Sequence, residues 1–212
     1  NIEALRTATD EESGVIRGTT AEFDFDREPR FYASLGFNRG VWYGEGRVDE
    51  NPFILQGLRG QVGNQNPGEL ACVTGYWAKK LINMESAQTG THTYSAQSYA
   101  YPIIRLADLY LLYAEALNEA KGSPDPNVYT YIDKVRARAG LEGVKESWTK
   151  YSINPTKPNS QEGMREIIRR ERLIELALEG HRFWDLRRWL LSADYFTQPV
   201  TGWNISAKET TD

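Results

Sequence analysis

Apolar residues settle into a helical rhythm only in the second half of this chain. After Pro102 a run of strong helix formers reaches Ala120 without glycine or further proline. At about 100° per residue, Arg105, Asp108, Glu115 and Glu119 fall in one strip about 80° wide, and most remaining positions are Ile, Leu, Ala or Tyr. That pattern predicts a helix buried on most sides, stopped by Gly122 and followed by Pro124 and Pro126. Asp125 is placed to cap a second helix with Pro126 at its first position. Val128, Tyr131, Ile132 and Val135 form its apolar stripe, and Gly140 closes it. The pair is the size of one tetratricopeptide-type unit, although an ordinary helical hairpin has the same pattern.

Residues 141–159, with Gly143, Pro155 and Pro158 among polar residues, read as a loop. Ser160 can cap a third helix to Glu179, with Met164, Ile167, Ile168, Ile174 and Leu178 along one face. Gly180 interrupts, and Arg182–Leu191 reads as a fourth helix carrying Phe183, Trp184, Leu186, Trp189 and Leu190. The helical aromatics Tyr110, Tyr113, Tyr131, Phe183 and Trp184 are expected in the core. No regular pattern follows Ser192.

Residues 1–100 are rich in Gly, Asn, Gln, Thr and aromatics and show no sustained period. Extended pieces are predicted at Glu22–Phe25, Phe31–Leu35, Val41–Tyr43 and Val73–Lys79, separated by turn residues such as Asn66-Pro67-Gly68, with at most one short helix. The expected organisation is one domain in three stretches: an irregular, ligand-facing region over 1–100, a helical core over 101–192 and an irregular tail over 193–212. The fold class is mostly α, with tetratricopeptide-like helix pairs at about 101–140 and 160–192 packed against a loop-rich region with few short strands.

Composition narrows the function. A net charge of -4 offers no basic footprint for nucleic acid. No run approaches the ~18 apolar residues a membrane helix needs. The lone Cys72, between Ala71 and Val73, reads as a buried thiol, and one cysteine excludes an internal disulfide.

On the third helix, seven-residue steps carry Met164 to Glu171 and Ile168 to Glu175, with Glu179 continuing the row. Carboxylates on an apolar stripe are costly unless a cation bonds them. The nearby arginines Arg172, Arg182, Arg187, Arg136 and Arg138 point to an ion-pair network with Glu171, Glu175 and Glu179. The competing reading, paired carboxylates cleaving a glycosidic bond, suffers because arginine lowers a carboxylate's pKa and spoils a general acid. Neither a nucleophile elbow nor a phosphate or dinucleotide loop occurs, and Glu179-Gly180-His181 lacks metal-ligand spacing. No catalytic residue, metal or cofactor is assigned. Trp42-Tyr43, Tyr76-Trp77, Tyr94, Tyr99, Tyr101 and Trp203 lie outside the helical stripes. A flat ring with a polar tip suits the C–H faces and hydroxyl edges of a sugar. Trp42, Tyr43 and Trp77 are the candidate ligand-binding residues, with Trp42→Ala expected to weaken glycan binding without changing the melt.

Three segments resemble the SusD/RagB family. Tyr101-Pro-Ile-Ile-Arg-Leu-Ala-Asp-Leu-Tyr-Leu-Leu-Tyr-Ala-Glu-Ala-Leu-Asn118 is similar to the family's "iRyAdvyLlyAEAlN" helix. Ile132-Asp-Lys-Val-Arg-Ala-Arg-Ala-Gly-Leu141 is similar to its "iN.vRaRaGl" helix end. The run from Arg165 through Glu-Gly-His-Arg-Phe-Trp-Asp-Leu-Arg-Arg-Trp189 is similar to "i..ERriElafEGhRfwDlrRW". Arg27-Glu-Pro-Arg and Gly75-Tyr-Trp-Ala-Lys-Lys80 add weaker likeness upstream.

The resemblance implies a non-catalytic protein that captures an oligo- or polysaccharide at the cell surface, without a cofactor. It also implies a TonB-dependent, SusC-like outer-membrane transporter as partner and a lipidated N-terminal cysteine as anchor. It supports the structural reading of Glu171, Glu175, Glu179, Arg182 and Asp185. The chain is expected to be the C-terminal portion of a longer protein, anchored through a segment outside these residues; Cys72 lies mid-chain and cannot serve. The alternative is a helical-repeat scaffold for protein partners, without a sugar site.

Overall fold

A computed structural model describes residues 4–44, 52–64, 72–90 and 93–201. The chain divides into two compact units, one running up to Tyr101 and the other spanning Pro102–Thr197.

The first unit is built from short antiparallel ribbons. Strand β1 (Leu5–Thr7) pairs with β2 (Thr19–Ala21). Downstream come helix α1 (Pro29–Ser34), β3 (Leu35–Phe37), β4 (Val41–Trp42), β5 (Phe53–Ile54), β6 (Tyr76–Ala78), β7 (Ala87–Gly90) and β8 (Thr93–Ser95). The remaining pairs are β3 with β6, β4 with β5 and β7 with β8. Ile16, Phe25 and Phe37 are buried at the centre, with Phe31, Tyr32 and Tyr76 packed around them.

Only two of the four predicted extended pieces hold a strand. Glu22–Asp24 is a 3-10 turn, closed by the Phe25 amide donating to Glu22 O (3.1 Å), which turns Asp24 inward to accept from the Thr20 hydroxyl. Phe31–Leu35 is mostly helix, because Pro29 fixes the first helical position and the Arg30 guanidinium forks back onto Glu28 (2.8 Å). In Val73–Lys79 only Tyr76–Ala78 pairs: the Gly75 amide donates to Cys72 O (3.1 Å), closing a turn that needs the positive φ of Gly75. Cys72 is half-buried.

The second unit is helical. It comprises α2 (Leu106–Lys121), α3 (Pro126–Arg138), α4 (Val144–Tyr151), α5 (Gln161–Glu175), α6 (His181–Arg188) and α7 (Ser192–Phe196). The capping signals act as expected. Asp125 accepts from the Asn127 amide (2.8 Å), Ser160 from the Gly163 amide (3.1 Å), and Gly122 ends α2 in the left-handed conformation. Bonds from Asn118 to Gln161 and from Arg172 to Asp108 run α5 antiparallel to α2. Leu111, Ala114, Val128, Ile132, Val135, Val144, Met164 and Ile168 form the shared core. The chain is thus mostly α-helical, with a few short strands.

Five expectations for this half change. The stretch after Leu141 holds α4, because the Val144 amide is received by Asp133 Oδ1 (2.7 Å) and Trp148, one turn on, packs on the core. Helix α5 stops at Glu175, where Leu178 and Gly180 take positive φ, so Leu178 is exposed. Helix α7 lies in the stretch that showed no pattern. Finally, the polar strip of α2 does not face outward: its Asp108 and Glu115 are buried along with Leu111 and Ala114, whereas Leu106, Leu109 and Tyr113 are half exposed. Arginines of α5 and α6 reach that strip and neutralise it, so the acids go inside. Phe183 and Trp184, expected in the core, are also exposed, because Asp185 and Leu186 take the inward positions of α6.

Candidate functional site

Strand β4 presents Trp42 and Tyr43 at the end of a two-residue ladder opposite β5, and β6 sets Trp77 directly opposite Gly36. Each indole uses a glycine as its seat. A Cβ at Gly36 would stand 2.6 Å from Trp42 Cζ3, and one at Gly57 would stand 2.8 Å from Trp77 Cη2. Both rings are therefore half-buried packing elements of the first unit. Tyr43 is more open, its hydroxyl donating to Gly14 O (3.3 Å). Lys79 ties this region together: its ammonium donates to Tyr32 O and Val41 O (both 2.9 Å), and burial lowers its pKa. Tyr76 is committed to structure, donating to Asp24 Oδ1 (2.9 Å), while Tyr94, Tyr99 and Tyr101 are exposed. Trp203 and His92 lie outside the described residues.

The charged positions of the helical unit form two adjoining ion-pair groups. In the first, Arg105 donates from Nε and Nη2 to Glu179 (2.7 and 2.6 Å) and from Nη1 to Glu175 (2.9 Å). Bonding to Glu179 raises the Arg105 pKa above its ordinary value. Arg138 shares Glu175 (2.6 Å), and Arg136 reaches Glu171 (3.1 Å) and the backbone of Glu142 (2.9 Å). In the second, Arg172 is buried between Asp108 (2.8 Å) and Asp185 (3.0 Å). Arg188 joins Asp185 to Glu115, and the Trp189 indole also donates to Glu115 (2.6 Å).

Glu171, Glu175, Glu179, Asp185, Arg136 and Arg138, read from sequence as structural charges, therefore meet arginine–carboxylate partners, as does Arg172. Arg182 does not: the turn through Gly180 starts α6 in a new direction, and its guanidinium lies over the Tyr195 ring at 4.4 Å. Sequence reasoning missed Arg105, Asp108, Glu115 and Arg188 as members. The acid strip on α2 was visible, but its direction was not. Among the described residues no group of His, Cys, Asp and Glu is arranged to hold a metal ion. No described helix is long and apolar enough to cross a membrane.

Fold and site define a helical protein whose crossings are keyed by buried arginine–carboxylate pairs, joined to an aromatic unit of short ribbons. The sequence profile of the SusD family matches residues 4–212, and the chain belongs to that family. It is 41% identical over 92 residues to SusD-like protein P25 of Formosa agariphila, covering 43% of this chain and 16% of that protein. It is 35% identical over 96 residues to SusD-like protein P2 of the same organism, covering 45% and 18%. The chain thus matches less than a fifth of the length of these curated relatives. A crystal structure of a SusD homolog from Bacteroides thetaiotaomicron superposes with a TM-score of 0.46 at 24% identity, covering 87% of this chain and 35% of the other.

Proposed function

We propose that this chain is part of a cell-surface nutrient-binding protein that captures a glycan and passes it to a TonB-dependent outer-membrane transporter. The observation that carries the reading is family membership over residues 4–212. The ion-pair groups support a binding role over hydrolysis. Glu171, Glu175, Glu179 and Asp185 each bond an arginine, so these carboxylates hold helices together and do not stand open to a glycosidic bond. A lipid anchor outside these residues and a SusC-like partner complete the proposal.

The test is native affinity electrophoresis of the chain through gels containing a panel of neutral and acidic polysaccharides. Retardation by a glycan, with no reducing ends released, is expected. Release of reducing ends would overturn the non-catalytic reading. Migration unaffected by every polysaccharide would overturn glycan capture by this chain.

A further inference from the structure

The helical unit carries ten arginines, at positions 105, 136, 138, 165, 169, 170, 172, 182, 187 and 188. Six of them bond carboxylates, Arg165 doing so with Glu119. Arg169, Arg170, Arg182 and Arg187 have no carboxylate within ion-pair distance among the described residues, although Glu119 acts on Arg169 at longer range. Three of those four line one cleft of about 530 Å³ between α5, α6 and α7. Unpaired arginines are not scattered over this unit; they converge.

Aromatic rings, not acids, hold two of the three arginines in the cleft. Arg169 Cζ lies 4.9 Å from the centroid of Trp189, and Arg182 Cζ lies 4.4 Å from that of Tyr195. Trp189 is itself fixed by its bond to Glu115. A guanidinium laid on a ring keeps its N–H edge free for a planar or tetrahedral oxyanion. Arg169 Nε is shielded from solvent and has no protein acceptor. Arg170 is exposed at the rim. Lys157 is the fourth cation and is bonded to Glu166, the one carboxylate lining the cleft. Four cations against one carboxylate leave a positive field in a protein whose net charge is -4. Trp148 and Leu173 add an apolar wall.

A positive cleft with an indole wall suits a ligand that is both anionic and ring-shaped. Inorganic anions would leave the apolar wall unused, and a neutral sugar would leave the guanidinium edges unmet. Resting on the glycan-capture reading above, we infer that this cleft is a binding site in the helical unit for an acidic oligosaccharide, one bearing carboxylate or sulfate groups. Arg169, Arg170 and Arg182 take the charges, and Leu173 with the Trp148 indole, over which the Lys157 ammonium lies 5.4 Å from the ring centroid, lines the apolar side.

The test compares polygalacturonate, dextran sulfate and neutral dextran as probes for the full chain, by affinity electrophoresis and calorimetry at low and high salt. Binding of polygalacturonate alone assigns the site to carboxylates, and binding of dextran sulfate alone assigns it to sulfate esters. The expected result is retention by at least one acidic probe, weakened by salt, and lowered at least about tenfold in Arg170→Gln/Arg182→Gln. The thermal melt of that variant should stay close to the wild type, since neither side chain bonds a carboxylate and only the stack of Arg182 on Tyr195 is lost. Undiminished binding by the variant would overturn the site. Retention by neutral dextran with none by either acidic probe would also overturn it, while leaving glycan capture standing. Loss of binding accompanied by a lowered melt is resolved by Arg170→Lys/Arg182→Lys, which keeps both charges: restored binding supports the site, and continued failure in that variant with a normal melt would overturn it.

Discussion

Replacing Arg172 with methionine, which has a similar length and no charge, isolates the most buried ion pair of the helical unit. The Arg172 side chain is 2% exposed and donates to Asp108 Oδ1 (2.8 Å), Asp185 Oδ2 (3.0 Å) and Asp185 Oδ1 (3.1 Å). Asp185 keeps Arg188 after the substitution, but Asp108 loses the arginine it bonds. Breaking a buried pair and leaving one charge uncompensated costs about 3–5 kcal/mol. With a urea m-value of about 1–3 kcal/mol/M, the midpoint should fall by roughly 2 M. The assay is urea unfolding of the full chain followed by far-UV circular dichroism, which reads the helices. A second substitution, Asp108→Leu in the Arg172→Met background, should recover much of the loss, because it removes the stranded charge. A single-variant midpoint within about 0.3 M of wild type, or no recovery in the double variant, would refute the claim that these charges lock α2 to α5.

Gly163→Ala should destabilise by about 2 kcal/mol even though alanine is the better helix former, because the new Cβ would stand 1.9 Å from Lys157 O, a backbone atom of the 3-10 turn that precedes α5; an unchanged thermal midpoint would contradict this. Asp24 is 2% exposed, and burial raises its pKa from 3.8 to about 6 despite hydrogen bonds from Tyr76 and Thr20. Because its folded value lies above the ordinary one, the stability it contributes is complete below about pH 4 and is lost as pH rises through about 6, on the order of 2 kcal/mol. Melts of wild type and Asp24→Asn across that window should diverge by this amount, and parallel curves would count against it. Trp42→Ala should lower the melting temperature by several degrees, since the indole fills the space over Gly36; an unchanged melt would return Trp42 to the role of a freely presented ligand-binding ring.

Local interactions left the clearest marks in the sequence. The Asp125 and Ser160 caps, the stops at Gly122 and Gly140 and the stripe of α3 involve residues within a few positions of one another, so residue type and spacing sufficed to place them. The carboxylate row of Glu171, Glu175 and Glu179 was also legible, because carboxylates at core spacing require cations. Tertiary structure decided which arginine meets which acid. Arg105 and Glu175 are seventy positions apart, and only the antiparallel run of α5 along α2 brings them together. The same long-range pairing turned the acid strip of α2 inward and left Leu106, Leu109 and Tyr113 outside, where hydrophobic periodicity alone had them buried. It also separated Arg182 from the network, because one left-handed turn at Gly180 redirects α6 toward the Tyr195 ring. Periodicity reports how a helix divides its faces, while the neighbour that each face meets is set by contacts far apart in the chain.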